Sequence, residues 1–312
     1  MAIRERQMEQ ITLTANGLTH PALKLGNGKK LALLVHGFPD SPATWAKLMP
    51  QLADQGYTCI APYLRGYSEL NTPREMLDNE SATIQIADVA EDICGLVSAS
   101  GFQNALLVGH DWGAISAYAA ANLEPHKFST VVTLSVPHLR VFLSNLWKNP
   151  AQLAASWYIL FFQLRFDIPE ARIERDSFDF IETLWSKWSP GALLDQAALD
   201  AVKKIFSDKQ ILHNALAYYR GLLTPPFADL VKYNRSRELS FADVTVPLLT
   251  LTGSADGCIL PEMFEGQHTA CGPDFTLRIL PQVGHFLTME SDTRIAAEIF
   301  KFTNNLAEAK HG

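Results

Sequence analysis

The sequence predicts an α/β protein: a mainly parallel sheet flanked by helices, carrying one inserted helical unit. Three observations lead there. Short apolar runs alternate with helix-like segments over the first 136 residues, the alternation stops between about Pro137 and Tyr233, and it resumes after Val246-Pro247. Repeated βαβ units require parallel strands covered on both faces, and such sheets hold ligands beyond the carboxyl ends of their strands.

Strands are expected at Leu31 to Val35, Thr58 to Ala61, Ala105 to Val108, Thr130 to Leu134, Leu248 to Leu251 and Thr276 to Leu280. Each is a short apolar run of the kind buried on both sides. Helices are expected over Ala43 to Ala53 and Ile84 to Val97. In the second, Ile86, Ala90, Ile93 and Val97 recur at helical spacing, and Ser81 is read as its N-cap. Pro137 to Tyr233 has helix-like segments rich in Trp, Phe, Tyr and Leu but no strand pattern, and its length is that of a small domain. The expected organisation is therefore a first core part over 1–136, a helical cap over 137–233 and a second core part over 234–312.

Composition limits the partners. With 26 Lys and Arg against 33 Asp and Glu, the net charge of −7 disfavours a phosphate-binding surface, so no nucleic acid partner is expected. Apolar runs such as Trp157 to Phe162 fall far short of the roughly 20 residues that cross a bilayer, so no membrane insertion is expected. Met1 to Gln10 carries four charged residues and no apolar signal-type run. The four cysteines, at 59, 94, 258 and 271, have neither CxxC nor metal-ligand spacing. A reducing, cytoplasmic setting without disulfides or metal is the expectation.

The chemistry-bearing residues stand just past strand ends. After Ala105 to Val108 comes Gly109-His110-Asp111-Trp112-Gly113, of the form G-x-nucleophile-x-G, in which small flanking residues let the chain turn sharply and push the central side chain above the sheet. The helix that follows brings N–H groups and the positive end of its dipole beside Asp111. An ordinary glycine-rich turn has the same look, so the motif needs company. It has it: Asp256 follows the strand at 248–251 and His285 follows the strand at 276–280. Asp111 to Asp256 spans 145 residues and Asp256 to His285 spans 29, giving the chain order nucleophile, acid, histidine with the insert in the long gap. His36-Gly37-Phe38-Pro39, after the strand at 31–35, supplies a loop whose backbone N–H can point across the sheet top. The N–H groups of Phe38 and Trp112 are the expected oxyanion hole, and His36 is given a structural role within its loop.

From about Ile11 to Phe302 these segments together resemble the α/β-hydrolase superfamily. An Asp in the elbow resembles its epoxide hydrolase and haloalkane dehalogenase branch. The chemistry fits that substitution: serine attacking an alkyl carbon would leave an ether, whereas aspartate leaves an ester that water, activated by histidine, can hydrolyse. Within the insert, Tyr158-Ile159-Leu160-Phe161-Phe162-Gln163 resembles the Y-x-x-x-F-Q segment of epoxide hydrolase caps, and Tyr218-Tyr219-Arg220 resembles their W-Y-R segment. The resemblance implies Asp111 as nucleophile, His285 as general base, Asp256 as its orienting acid, and Tyr158 and Tyr219 as the pair that opens the epoxide. Tyr218, equally phenolic, remains open as the alternative to Tyr219.

Trp112, Phe38 and Phe162 are the expected substrate contacts, the aromatic lid implies a lipophilic epoxide, and no cofactor is required. A haloalkane dehalogenase with the same Asp111 is the alternative; Phe38, where many dehalogenases present a polar halide ligand, speaks against it. A fold-retaining binding protein without turnover is disfavoured by the intact Asp111, Asp256 and His285. Ala61-Pro62-Tyr63-Leu64-Arg65-Gly66-Tyr67-Ser68 resembles the loop P-D-x-R-G-Y-G-x-S, but Tyr63 and Ser68 depart from it, implying altered loop packing. His138 is read as structural or as a lid hinge, and Cys258 is given no thiol role.

Overall fold

Eight strands form one sheet in a computed structural model that describes residues 8–79, 81–193, 195–223 and 230–309. They are β1 (Glu9–Ala15), β2 (Leu18–Leu25), β3 (Lys30–Val35), β4 (Tyr57–Pro62), β5 (Ala105–His110), β6 (Phe128–Leu134), β7 (Leu248–Gly253) and β8 (Phe275–Leu280), in the order β1-β2-β4-β3-β5-β6-β7-β8. From β4 to β8 every pairing is parallel, whereas β1 with β2 and β2 with β4 are antiparallel. The six expected strands are present. The β1–β2 hairpin was not expected: β1 is half-exposed, so its apolar residues Ile11 and Leu13 alternate with threonines and give no apolar run. Its signal is the Asn16-Gly17 turn, with φ of 47° and 74° at the two residues, the geometry that Asn-Gly favours in tight hairpins.

Alternate residues of the central strands fill two cores. Leu31, Leu33, Val35, Leu107 and Val131 pack on one face. Ala32, Leu34, Leu106, Val108, Val132, Leu249 and Leu251 pack on the other, against Trp45, Leu48, Ile295 and Ile299. Burial on both sides is why these strands read as continuous apolar runs.

The helices are α1 (Leu48–Asp54), α2 (Arg74–Asp78), α3 (Ile86–Ala99), α4 (Trp112–Leu123), α5 (Leu139–Leu146), α6 (Pro150–Ala155), α7 (Trp157–Phe161), α8 (Ile168–Trp188), α9 (Gln196–Phe206), α10 (Lys209–Leu223), α11 (Leu230–Phe241), α12 (Leu287–Glu290) and α13 (Asp292–Ala309). The helix expected over Ala43 to Ala53 is a 3₁₀ turn at Pro42–Trp45 followed by α1. Ser81 does not cap α3. Gln85 is extended there, the Ile84 amide bonds the Ala217 carbonyl, and the first-turn amide of Ala87 is met by Ser236 Oγ of α11, so a distant side chain replaces the local cap.

Among the described residues no helix is long and apolar enough to cross a membrane. Between β6 and β7 the regular elements of the described chain are the helices α5 to α11, with α8 interrupted where Asp176, Ser177 and Phe178 have positive φ. These cap helices lie over the carboxyl ends of the strands, since Phe162 and Tyr219 meet the ring of Phe38 and Trp188 meets His285. Residue 233 falls within α11, which packs on the core helices and hydrogen-bonds Asn122 of α4 through the Leu239 carbonyl.

The sheet order makes β3 the point where connections diverge: the chain leaves it for β4 on one side and returns to β5 on the other. The loops after β3 and β5 therefore face each other across the crevice in which open α/β sheets bind ligands. Their contact is so close that a Cβ on Gly113 would stand 2.0 Å from the Val35 carbonyl oxygen. Gly113→Ala must push main chain against main chain, and a loss of roughly 1–3 kcal/mol is expected in urea denaturation; an unchanged midpoint would show that the loops need not touch.

Candidate active site

Asp111 stands at the end of β5 with φ 52° and ψ −118°. A non-glycine residue in this region costs about 1–3 kcal/mol and persists only where its surroundings hold it. Here its N–H donates to the Leu134 carbonyl, and its own carbonyl accepts from Ala114 and Ile115 in the first turn of α4. The side chain is thereby lifted out of the sheet toward the loop after β3. That loop meets it directly: the Phe38 N–H donates to Asp111 Oδ1 at 2.7 Å. His36 fixes the loop as expected, with Nδ1 2.9 Å from the Gly37 carbonyl and Nε2 accepting from the Leu64 N–H at 3.1 Å.

The second oxygen, Oδ2, faces His285 Nε2 at 3.7 Å. His285 lies in the loop after β8, and its Nδ1 is 2.9 Å from Asp256 Oδ2, which places the ring proton on Nδ1. Asp256 Oδ1 accepts from the N–H groups of Cys258 and Ile259 at 2.8 and 2.9 Å. The cap supports both loops: the Trp188 carbonyl, at the end of α8, accepts from Gly257 N and from His285 N, each at 3.0 Å. Burial alone would strip the proton from His285. The negative charges of Asp256 and Asp111 outweigh it and push the pKa up to about 10.

From the cap, Tyr158 of α7 and Tyr219 of α10 meet ring to ring at 5.8 Å. Both are buried. Burial, with the charge of Asp111 adding to it, raises both phenols well above their ordinary range, so both carry their protons at neutral pH. The Tyr219 hydroxyl stands beside the Trp112 indole, whose hydrogen bond works against the upward shift of the phenol. Tyr218, the alternative left open by the sequence, turns away and donates to the Arg65 carbonyl at 2.9 Å. Arg220 and Gln163 set this orientation. Arg220 Nε donates to the Phe162 carbonyl, Arg220 Nη2 pairs with Glu170 at 2.9 Å, and Gln163 Nε2 donates to the Tyr219 carbonyl, so the two tyrosine segments are stitched together. Phe162 is fully buried against Phe38, Tyr158 and Tyr219, and Trp112 stands edge-on to Tyr219 at 4.9 Å.

The remaining sequence readings find their places away from the carboxylate. His138 bonds the Ala242 carbonyl and accepts from Arg140 N, tying the start of the cap to the core. In the loop that departs from the family pattern, Arg65 forms a two-pronged pair with Asp92 and Tyr67 packs on His36. Asp167, Glu170 and His213 place their ligand-type atoms within 4.8 Å of one another in the cap, but the guanidinium of Arg220 already neutralises Glu170.

Two buried groups behind the triad were not read from the sequence. Asp40 accepts from Ser41 N, and its burial pushes its pKa up to about 8. His110 bonds the His285 carbonyl through Nε2 and is pushed down to about 3, chiefly by burial. A carboxyl directly following His36-Gly37-Phe38-Pro39 was the available signal for the first.

The α/β hydrolase fold family matches residues 32–291, and this chain is a member of it. Epoxide hydrolase 3 of Siraitia grosvenorii is 31% identical over 96% of this chain and 99% of its own length. Human epoxide hydrolase 4 is 28% identical over 88% of this chain and 72% of its own. A crystal structure of Bacillus megaterium epoxide hydrolase with an inhibitor superposes with a TM-score of 0.79 at 24% identity, covering 94% of this chain and all of that one, a likeness of fold. Within the α/β hydrolases, the chain belongs to the epoxide hydrolase family.

The site's charges set the pH dependence of stability. His285 is held protonated in the fold, so its contribution is complete below pH 6.5 and is lost as pH rises toward about 10. Asp40, protonated up to about 8 in the fold, costs increasing stability between 3.8 and that value. His36 and His110, held neutral down to about 4 and 3, lose stability as pH falls below 6.5. Stability should peak near pH 6.5 and fall on both sides. A denaturation series still rising at pH 8.5 would contradict the charged state of His285.

Proposed function

We propose that the chain hydrolyses a lipophilic epoxide to a vicinal diol through an ester on Asp111. The observation that carries this reading is the placement of two buried, protonated phenols opposite a carboxylate whose other side is met by a backbone N–H and a histidine. A carboxylate alone fits several displacements; phenols that stay protonated suit an oxygen leaving group, which must gain a proton as its bond to carbon breaks. The aromatic walls supplied by Phe38, Trp112 and Phe162 suit an apolar substrate body.

In the first step, Oδ2 of Asp111 attacks the less hindered ring carbon, the C–O bond breaks toward oxygen, and Tyr158 and Tyr219 hydrogen-bond and protonate that oxygen. Oδ1, on the Phe38 N–H, becomes the ester carbonyl oxygen. Esterification removes the negative charge of Asp111, and with it part of what holds the proton on His285. The proton His285 then releases restores the phenol. Neutral His285, oriented by Asp256, takes a proton from water as the water attacks the ester carbonyl carbon. The charge that develops on Oδ1 is met by the N–H groups of Phe38 and Trp112; collapse breaks the C–O bond to the diol oxygen, which takes the remaining proton of the added water, so the diol leaves with one oxygen from Asp111 while Asp111 returns as carboxylate and His285 stays protonated.

The substrate is a small-molecule epoxide, and the reaction calls on no cofactor. The free cysteines 59, 94, 258 and 271 suit a cytoplasmic setting.

Asp111→Asn should lower styrene oxide turnover on the order of a thousandfold or more. Tyr219→Phe, leaving Tyr158 in place, should lower kcat/KM by roughly ten- to a hundredfold. A single turnover in ¹⁸O-water should give diol free of label, because the oxygen added to the substrate comes from the enzyme. Fully labelled diol would exclude the ester, and bromide release from 1-bromobutane with no diol from any epoxide would replace the proposal by dehalogenation.

A further inference from the structure

The loop after β7 does more than carry the triad's acid. Asp256 binds His285 with one oxygen and, with the other, the amides of Cys258 and Ile259, so the carboxylate that orients the base also shapes the turn that presents Cys258. From that turn the Cys258 Sγ lies 3.4 Å from the Tyr158 hydroxyl, both groups buried. The same loop is clasped by the cap through a fully buried side chain: Gln152 of α6 donates to the Cys258 carbonyl and accepts from Leu260 N, each at 2.8 Å. Six residues later in the chain comes Tyr158. The Tyr158 ring packs on Phe162, Trp188 and Tyr219, and its hydroxyl lies against the thiol, whereas the Tyr219 hydroxyl stands beside the Trp112 indole.

We propose that Cys258 is the positioning residue for Tyr158, its thiol directing the phenol proton toward the epoxide oxygen. This rests on the epoxide-opening role of Tyr158 proposed above. The phenol's oxygen has one proton to give, so whatever neighbours it decides where that proton points. Sulfur is a weak acceptor, so in the free enzyme it holds the phenol proton loosely. When an epoxide oxygen arrives, the hydroxyl turns its proton to that oxygen and the S–H rotates to donate to the phenol oxygen. The S–H bond stays intact and no electrons are transferred; Cys258 ends the step as the thiol it began. Burial raises this thiol well above its ordinary range, so it carries little thiolate to be alkylated by the electrophile beside it.

The test isolates ester formation. In a His285→Gln background, which lacks the base for hydrolysis, styrene oxide should add its mass to Asp111, and intact-mass kinetics under single-turnover conditions read the rate. Cys258→Ala should slow that rate roughly three- to tenfold, the span of one net hydrogen bond. Cys258→Ser, which keeps a donor, should restore it, and Cys258→Val, which fills the space without one, should not. In a Tyr158→Phe background Cys258→Ala should have no further effect. Equal slowing with and without the Tyr158 hydroxyl, or no slowing at all, would overturn the positioning role while leaving the ester pathway standing. Absence of the adduct in a folded His285→Gln parent would instead overturn the ester pathway, and the role of Cys258 with it.

Discussion

Everything in the site depends on the main chain of two loops touching at the place where the sheet's connections diverge. A Cβ on Gly37 would lie 2.4 Å from Asp111 Oδ1, and one on Gly113 would lie 2.0 Å from the Val35 carbonyl oxygen. Only residues without side chains let the loop after β3 settle on the elbow after β5. Once it does, the Phe38 N–H reaches Asp111 at 2.7 Å, and the strained φ of Asp111 is held from three directions. Strain of this kind survives only where neighbouring structure leaves the residue no other conformation.

The electrostatics follow from that placement. His285 stands between two carboxylates with different surroundings: Asp256 accepts hydrogen bonds from two backbone amides and meets the His285 ring at 2.9 Å, whereas Asp111 accepts from the Phe38 amide and faces His285 Nε2 at 3.7 Å. Their combined charge keeps His285 protonated against the effect of burial. A chemical step that neutralised Asp111 would remove part of what holds the proton on His285, leaving the share supplied by Asp256. Burial acts in the opposite sense on the phenols, where it preserves the proton. Groups whose environments drive their pKa values apart are the arrangement that acid–base assignments require.

The proposed triad could be picked out of the sequence because Asp111, Asp256 and His285 stand one, three and five residues beyond the strands β5, β7 and β8, and the strands were visible because both faces of the sheet are buried. What escaped it was set by distant contacts. The cap of α3 comes from Ser236, far along the chain from Ser81, and no local pattern encodes it. The half-exposed β1 lacks an apolar run, although Asn16-Gly17 marks its turn. Tyr218 and Tyr219 are adjacent on one helix and so point about 100° apart, but which one faces Asp111 depends on how Arg220 and Gln163 rotate α10 against the segment after α7. Cys258 is given no thiol role in the sequence for a similar reason: its neighbour, the Tyr158 hydroxyl, lies 100 residues away.

These distant contacts also say what the cap is for. The Trp188 carbonyl receives the amides of Gly257 and His285, Trp185 donates to the Pro39 carbonyl, Ser189 Oγ accepts from Phe286 N, and Gln152 clasps the Asp256 loop. Each of these joins a cap residue to a loop that carries or adjoins the triad. Swinging the cap away as a rigid lid would break them together, at about 0.5–1.5 kcal/mol apiece, and would release the histidine and acid loops at the same moment. The helices between β6 and β7 therefore form the last wall of the candidate site: they carry Tyr158 and Tyr219, and the bonds that hold them in place also hold the loops of His285 and Asp256.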